Sequence, residues 1–273
     1  MDLTGVFVPL VTPFDESDNV DLDRVDTIVE SMLAAGVHGI VACGTTGEGY
    51  SLPLDERRAV TSRIHHVVAG SVPVLGAVGG MSTGQALEHA TIASSLQLDG
   101  LMLGAPAYSL PTPTELTDHV STVVAAAGLP TALYDYPQRT GVSFGFDTLD
   151  ELASNPLIVG IKEASGDLTR PGEITRRYEG AIDVVCGADA AIVEFLHAGT
   201  RCWIGGIANL LPFAHVAILD PSSRADAFTS PLSCSHRLPA SLASSSAAWR
   251  LAAPAERTSS SCAFSRFTSV ARP

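Results

Sequence analysis

The chain has 273 residues and a net charge of −13, with 46% hydrophobic and 16% charged residues, which is typical of a soluble globular protein. Nucleic acids and anionic membranes are bound through clustered Lys and Arg, so the acidic balance argues against both and favours a small-molecule partner. No apolar run reaches the roughly 18 residues of a membrane span, and the first residues lack the basic segment of a secretion signal, so we expect a cytoplasmic protein.

Short apolar, β-branched runs recur along the chain between longer amphipathic segments. They predict eight strands, at residues 6–10, 39–43, 73–78, 100–103, 131–134, 158–161, 183–185 and 202–204. The amphipathic segments predict helices at 22–35, 54–68, 83–95, 113–127 and 190–198. Several helices follow a capping residue, namely Asp21, Ser82, Asp189, or Thr112 with Pro113 at the first helical position.

Strict alternation of strands and helices predicts an α/β fold with a parallel sheet covered by helices. Eight repeats within about 205 residues favour a closed (β/α)8 TIM barrel over an open doubly wound sheet. The open sheet usually has fewer strands and a G-x-G-x-x-G turn after the first strand. Here the first strand is followed by VTPFDESDNV, which contains no such turn.

The composition changes after about Asp220. Residues 221–273 hold 14 serines in 53 positions, and six arginines against two acidic residues give this segment a net charge of +4. Residues 1–220 hold ten basic and 27 acidic residues, a net charge of −17. We therefore predict a barrel domain over residues 1–220 and an atypical Ser/Arg-rich tail over residues 221–273.

Two hypotheses about this tail stay open. A Ser/Pro-rich disordered segment would not bury enough apolar surface to offset its ordering entropy. Alternatively, the reading frame slips near Pro221, which accounts better for Trp249, Phe264 and Phe267 in a segment of this composition. Translation of the coding DNA in the other frames past Asp220 distinguishes the two.

In a parallel barrel, functional groups lie where strands end and βα loops begin. Polar segments occupy four such positions: CGTTGE at residues 43–48, APAY at 105–108, YDYPQRTG at 134–141, and Lys162 after the sixth strand. These four positions are therefore the candidates for chemistry.

Lys162 is the only lysine among 16 basic residues, and it follows the apolar run LIVGI. Desolvation beside a barrel interior lowers the pKa of an ammonium and leaves free amine to attack a carbonyl, as a Schiff-base lysine must. The alternative is a lysine that extends to solvent or pairs with Glu163. Adjacent strand residues point to opposite faces, so Glu163 is expected to face away, which favours the nucleophile.

Tyr134 ends the adjacent strand, where a phenol in an apolar pocket can shuttle protons for a Schiff base. Its alternative is a core tyrosine with a backbone partner. The turn at residues 44–47 offers consecutive N–H groups and two hydroxyls, which suit a carboxylate, although a tight loop is the simpler interpretation. Glu48 is expected to accept loop hydrogen bonds. Arg139 is either a bidentate partner for a second carboxylate or a surface residue.

A metal site or a disulfide framework is not expected. The five cysteines are widely spaced, odd in number and form no C-x-x-C pair. His65 and His66 are adjacent on a predicted helix and point about 100° apart, which does not suit shared ligation. We expect no cofactor.

The segments GTTGE, YDYPQRTG and GIKEASGD, in this order, resemble the dihydrodipicolinate synthase and N-acetylneuraminate lyase family of pyruvate-dependent class I aldolases. GVFVPLVTPF and CWIGGIAN resemble its first and eighth strands, so the resemblance covers about residues 3–218. It implies that Lys162 forms a Schiff base with pyruvate and that Tyr134 relays protons. It further implies that Thr45 connects Tyr134 to solvent through Tyr108, which is donated across a subunit interface.

The same resemblance assigns the substrate contacts. Thr46 and the backbone around Gly47 would hold the pyruvate carboxylate, and Ile204 would line its pocket. Arg139 falls where the synthases bind the carboxylate of aspartate semialdehyde. The expected reaction is therefore the condensation of pyruvate with L-aspartate 4-semialdehyde, without metal or cofactor. A homo-oligomer (dimer or tetramer) is expected if the C-terminal part folds.

Three departures from the family pattern keep alternatives open. Ala107 stands where the synthases commonly carry an aromatic residue, and Tyr136 where they have a smaller aliphatic one. A Y-x-Y-P segment also resembles the sugar-acid aldolases, so a 2-keto-3-deoxy sugar-acid aldolase or an N-acetylneuraminate lyase-like enzyme is the second candidate. The tail replaces the family's further helices, which leaves an inactive barrel as the third.

Overall fold

Eight short strands occupy the predicted positions in the computed structural model, which describes residues 1–220. They are β1 (Gly5–Pro9), β2 (Gly39–Ala42), β3 (Val74–Ala77), β4 (Gly100–Gly104), β5 (Thr131–Asp135), β6 (Ile158–Glu163), β7 (Asp183–Cys186) and β8 (Cys202–Ile204). Each strand pairs in parallel with the next, and β1 pairs with β8. The predicted (β/α)8 barrel is confirmed. The predicted tail lies outside the described residues.

Helices follow the strands on the outside of this ring. They are α1 (Leu22–Ala34), α2 (Leu54–Val68), α3 (Thr83–Ser95), α4 (Pro113–Ala127), α5 (Pro137–Thr140), α6 (Phe146–Leu152), α7 (Arg170–Arg177), α8 (Ile192–His197) and α9 (Pro212–Leu219). Two 3-10 turns, Asp189–Ala191 and Gly206–Asn209, precede α8 and α9. Within residues 1–220 no helix has both the length and the apolar character needed to cross a bilayer.

Three of the four predicted caps hold their helices. Asp21 accepts from the Arg24 N–H at 2.9 Å, and Ser82 accepts from the Gln85 N–H at 3.2 Å. Thr112 forms a capping box with Glu115. These side chains satisfy N–H groups that have no partner inside the helix, which is why the three helices begin where the sequence predicts.

The prediction that Asp189 caps a helix over residues 190–198 is wrong. Asp189 lies inside a 3-10 turn, and the α-helix starts only at Ile192. Its carboxylate instead accepts from Trp203 Nε1 at 3.1 Å and from the Ile207 N–H at 3.3 Å. A charged acceptor that binds groups of the next βα unit is unavailable to the N–H groups of its own helix.

Side-chain alternation along the strands divides the apolar residues into two cores. One core lies between sheet and helices and includes Val6, Val8 and Ile40. The other fills the ring itself and includes Phe7, Val41, Leu75, Met102, Val185 and Ile204. The predicted site lies above this second core, where the strands reach their carboxyl ends.

Candidate active site

Lys162 projects into the ring from β6, one residue before the strand ends at Glu163. Its side chain is buried, and Nζ lies 4.2 Å from the centroid of the Tyr134 ring. Burial lowers the pKa of Lys162 to about 8, while the negative charge of Asp189 opposes this effect. A buried amine with this pKa supplies unprotonated nucleophile near neutral pH.

Glu163 faces away from Lys162, as predicted. Its Oε2 accepts from Arg170 Nε at 2.7 Å on the helix side of the sheet. Asp135, the residue paired with Glu163 on β5, also accepts from Arg170, at 3.1 Å. Arg170 therefore neutralises both carboxylates, and Lys162 is left without Glu163 as an ion-pair partner.

Tyr134 stands beside Lys162 because the two residues are paired in the β5–β6 register. Its hydroxyl is hydrogen-bonded to the side chain of Thr45. Burial raises the pKa of Tyr134 to about 12, and the bond to Thr45 opposes this rise. A side-chain partner in the βα loop, rather than a backbone group, distinguishes Tyr134 from an ordinary core tyrosine.

The turn at residues 44–47 is held by hydrogen bonds and is closely packed. The Gly49 N–H donates to the Gly44 carbonyl at 3.0 Å, and Thr12 Oγ1 donates to the Gly47 carbonyl at 2.6 Å. Only glycine fits at position 47, since a Cβ there would lie 2.4 Å from the Leu10 carbonyl oxygen. The turn is thus a tight loop and also a fixed set of N–H and hydroxyl groups beside Tyr134.

Two non-glycine residues flank this turn in the left-handed region. Cys43 has φ +52° and Glu48 has φ +52°. Such a conformation costs free energy and persists where neighbouring groups hold it. Glu48 takes part in the loop through its carbonyl, which accepts from the Ser51 N–H at 2.9 Å, while its side chain is exposed.

The remaining predicted residues lie at different depths. Ile204 is fully buried at the end of β8 inside the ring. Arg139 is exposed in α5, with its guanidinium 5.9 Å from the centroid of the Tyr136 ring. Tyr108 is 86% exposed in the loop after β4, at φ +69°. The single chain therefore brings together Lys162, Tyr134 and Thr45 but leaves Tyr108 in solvent.

Sequence reasoning missed the group formed by Asp189, Trp203 and His215. The His215 ring stacks on Trp203 with centroids 4.0 Å apart, and Asp189 accepts from the indole. Gly205 permits this approach, since a Cβ there would lie 1.9 Å from Asp189 Oδ1. An acidic residue three positions after β7 was a usable signal, because the βα loops carry the functional groups of a parallel barrel.

No group of three or more His, Cys, Asp or Glu within residues 1–220 could hold a metal ion. The three cysteines of this region, Cys43, Cys186 and Cys202, are buried free thiols. The groups at the carboxyl end of the barrel that suit Schiff-base chemistry are therefore the Lys162 amine, the Tyr134 phenol and the hydroxyl groups of the turn at residues 44–47.

The Dihydrodipicolinate synthetase family matches residues 2–237. The chain belongs to this family. The match confirms the resemblance and, with it, a lyase that forms a lysine Schiff base with pyruvate. It includes residues 221–237 of the predicted tail.

Curated relatives of this family member include two 4-hydroxy-tetrahydrodipicolinate synthases. The protein of Sorangium cellulosum is 36% identical over 214 residues, which are 78% of this chain and 71% of the relative. The protein of Natronomonas pharaonis is 36% identical over 224 residues, 82% of this chain and 76% of the relative.

Solved structures of the family superpose on the barrel. The 4-hydroxy-tetrahydrodipicolinate synthase of Methylacidiphilum fumariolicum SolV has a TM-score of 0.80 and 28% identity, covering 83% of this chain and 76% of that one. The dihydrodipicolinate synthase of Acinetobacter baumannii, solved in complex with pyruvate, has a TM-score of 0.77 and 32% identity, covering 82% and 79%.

Proposed function

We propose that this family member condenses pyruvate with L-aspartate 4-semialdehyde, as a 4-hydroxy-tetrahydrodipicolinate synthase, through a Schiff base at Lys162. The observation that carries the proposal is the placement of Lys162. Its amine is buried with a pKa lowered to about 8 and lies against the face of Tyr134, whose hydroxyl is bonded to Thr45. This arrangement supplies a nucleophile and a proton relay side by side at the carboxyl end of the barrel.

Imine formation uses both groups in turn. The Lys162 amine attacks the keto carbon of pyruvate, and the resulting carbinolamine loses water after its hydroxyl is protonated. Tyr134 donates this proton, since a phenol with a pKa raised to about 12 is protonated at neutral pH. Thr45 then returns a proton to Tyr134. In the family pattern Tyr108 of a second subunit completes the relay, and its 86% exposure in one chain is consistent with that role.

Carbon–carbon bond formation follows from the imine. Loss of a proton from the methyl carbon gives an enamine, which attacks the aldehyde carbon of the second substrate. Thr46 and the Gly47 backbone hold the pyruvate carboxylate, and the buried Ile204 faces the apolar part of the pocket. Arg139 binds the carboxylate of the semialdehyde, because its guanidinium lies at the rim beside Tyr136.

A 2-keto-3-deoxy sugar-acid aldolase is the second candidate, and Tyr136 favours it. The Tyr136 ring stacks on Tyr134 with centroids 5.7 Å apart, so it occupies space beside the reacting carbon that a smaller residue would leave free. Its hydroxyl offers a partner for a polyhydroxylated substrate.

We also propose that the protein forms a homo-oligomer and that it is located in the cytoplasm.

Borohydride reduction in the presence of pyruvate tests the central step. We expect one reduced pyruvate on Lys162, located by peptide mass mapping, which is unambiguous because the chain has one lysine. The initial rate of trapping should rise between pH 6 and 8.5, since about one-tenth of an amine with a pKa of about 8 is unprotonated at pH 7. Absence of the adduct would leave only the inactive barrel.

The same preparation distinguishes the two enzyme candidates. We expect consumption of pyruvate when L-aspartate 4-semialdehyde is supplied, followed in a coupled reductase assay. Release of pyruvate from 2-keto-3-deoxygluconate at a higher kcat/KM would instead establish the sugar-acid aldolase.

A further inference from the structure

Arg57 is a buried cation beside the turn at residues 44–47. It lies in the first turn of α2 and is 4% exposed. Its Nη1 donates to the Gly49 carbonyl at 2.8 Å, and its Nη2 donates to the Ala77 carbonyl. The planar guanidinium therefore spans the loop after β2 and the end of β3.

This cation has no anionic partner within residues 1–220. No Asp or Glu of this region forms a salt bridge with Arg57, whereas Arg170, the other largely buried arginine, pairs with both Asp135 and Glu163. Burial lowers the pKa of Arg57, but a guanidinium stays protonated in proteins. An unpaired buried charge is costly, so a nearby anion would bind favourably.

The contacts of Arg57 lead directly to the turn. Gly49, whose carbonyl it holds, donates its N–H to the Gly44 carbonyl at 3.0 Å. Ala77, its second acceptor residue, lies beside Gly44, since a Cβ on Gly44 would be 3.9 Å from the Ala77 Cβ. The guanidinium thus fixes both the end of the turn and the strand on which the turn rests.

The strained residues around the turn make this support necessary. Cys43 and Glu48 are both left-handed, and such residues hold their conformation only when neighbouring groups determine it. Thr61 provides a second support from α2, because its hydroxyl lies 3.4 Å from Cys43 Sγ and donates to the Arg57 carbonyl at 2.8 Å. Arg57 and Thr61, one turn apart on α2, therefore both support the loop that follows β2.

We propose that Arg57 is a positioning residue for the keto acid. Its guanidinium holds the turn at residues 44–47 in the geometry that binds a carboxylate, and its unpaired charge favours an anion in that turn over an uncharged ligand. The inference rests on the proposed function, in which this turn holds the carboxylate of pyruvate. Lysine is a poor substitute, because a point-like ammonium cannot reach two carbonyls in the fixed fork geometry.

The test compares Arg57→Gln, which removes the charge, with Arg57→Lys, which keeps it. Arg58→Gln is the matched control, since Arg58 is the exposed neighbour on the same helix and contacts Ser95 at 3.4 Å. Each protein is titrated with pyruvate and with methyl pyruvate, its uncharged ester, and the Lys162 adduct is trapped with borohydride. Thermal unfolding of each variant is measured in parallel.

We expect Arg57→Gln to weaken adduct formation with methyl pyruvate modestly, through loss of the fork, and to weaken it with pyruvate about tenfold more, through loss of the charge. Arg57→Lys should weaken both compounds modestly and keep the preference for pyruvate. Arg58→Gln should match the wild type. If Arg57→Gln does not fold, the test uses Arg57→Lys alone, and the measured quantity is its preference for pyruvate over methyl pyruvate.

Three outcomes overturn the proposal. Equal weakening of pyruvate and methyl pyruvate in Arg57→Gln would assign Arg57 a purely structural role, and so would a lost preference for pyruvate in Arg57→Lys. Unchanged binding of pyruvate in Arg57→Gln would remove any role. Failure of the proposed function is distinguishable, because the wild type would then trap neither compound.

Discussion

The burial that gives Lys162 its proposed reactivity also lowers the stability of the folded protein. Its pKa falls from 10.5 to about 8 on burial, so the unfolded chain holds the proton more tightly than the folded one. Each pKa unit corresponds to 1.36 kcal/mol, which places this cost at about 3 kcal/mol. The cost is complete below pH 8 and is relieved as the pH rises towards 10.5, because the unfolded state then also loses the proton.

Replacement of this amine should therefore stabilise the protein and abolish the adduct. We expect Lys162→Met, similar in volume and uncharged, to raise the free energy of unfolding by about 1 to 3 kcal/mol at pH 7. The gain should shrink between pH 8 and 10.5. Denaturant titrations at pH 7 and pH 10 measure both values, and a variant less stable than the wild type at pH 7 would contradict the desolvation argument.

If the hydroxyl of Tyr134 relays protons, its removal should lower the turnover rate and not the affinity for pyruvate. We expect Tyr134→Phe to lower kcat by about 100-fold or more, with a much smaller change in the pyruvate concentration that half-saturates the reaction. Tyr136→Phe is the control, since it removes a hydroxyl from the stacked neighbour. Equal losses in turnover and in pyruvate binding would exclude the relay.

At the scale of elements, the pair β5–β6 aligns the two central groups. Tyr134 and Lys162 point into the ring, and the next residue on each strand, Asp135 and Glu163, points to the helices. Arg170 at the start of α7 binds both carboxylates and also donates to the Phe144 carbonyl. The orientation of the inner pair is thus fixed by a buried ion network on the outer face.

Loss of this network should be far more costly than loss of a surface ion pair. We expect Arg170→Met to lower the free energy of unfolding by about 3 kcal/mol or more, because it leaves two buried carboxylates unpaired. Arg177→Met, which breaks the exposed pair with Asp150, should cost at most about 1 kcal/mol. Chemical denaturation of both variants measures the two losses in the free energy of unfolding. Similar losses would show that Arg170 does not hold the strands.

The sequence predicted the helices and strands well where nearby residues determine them. The strands and the helices α1 to α4 follow from apolar periodicity and caps within a few residues. Asp189 was misassigned because its partners, Trp203 and Ile207, lie in the next βα unit. The sixth strand runs on to Glu163 because pairing with β5 continues there, which its own residues do not reveal.

At the scale of the whole molecule, the eight repeats predicted the barrel, and the polar strand ends led to a candidate site at its carboxyl end. Two features lie beyond such patterns. Arg57 and Arg58 are adjacent in the sequence, and only the packing of α2 makes one of them a buried cation and the other a solvated one. Tyr108 is exposed in one chain, and the relay role proposed for it needs a second copy of the chain, which a single sequence does not describe.

The closure of β1 on β8 makes the eight units a cycle. Gly5, Val6 and Phe7 pair with Cys202, Trp203 and Ile204, and every proposed site residue except Ile204, which ends β8, lies between these two strands in the sequence. In a cycle no unit is first or last, so the neighbours of the catalytic strand are set by the ring alone. Ring closure thus leaves none of the eight strands with an unpaired edge, and β6 keeps β5 and β7 as its fixed neighbours.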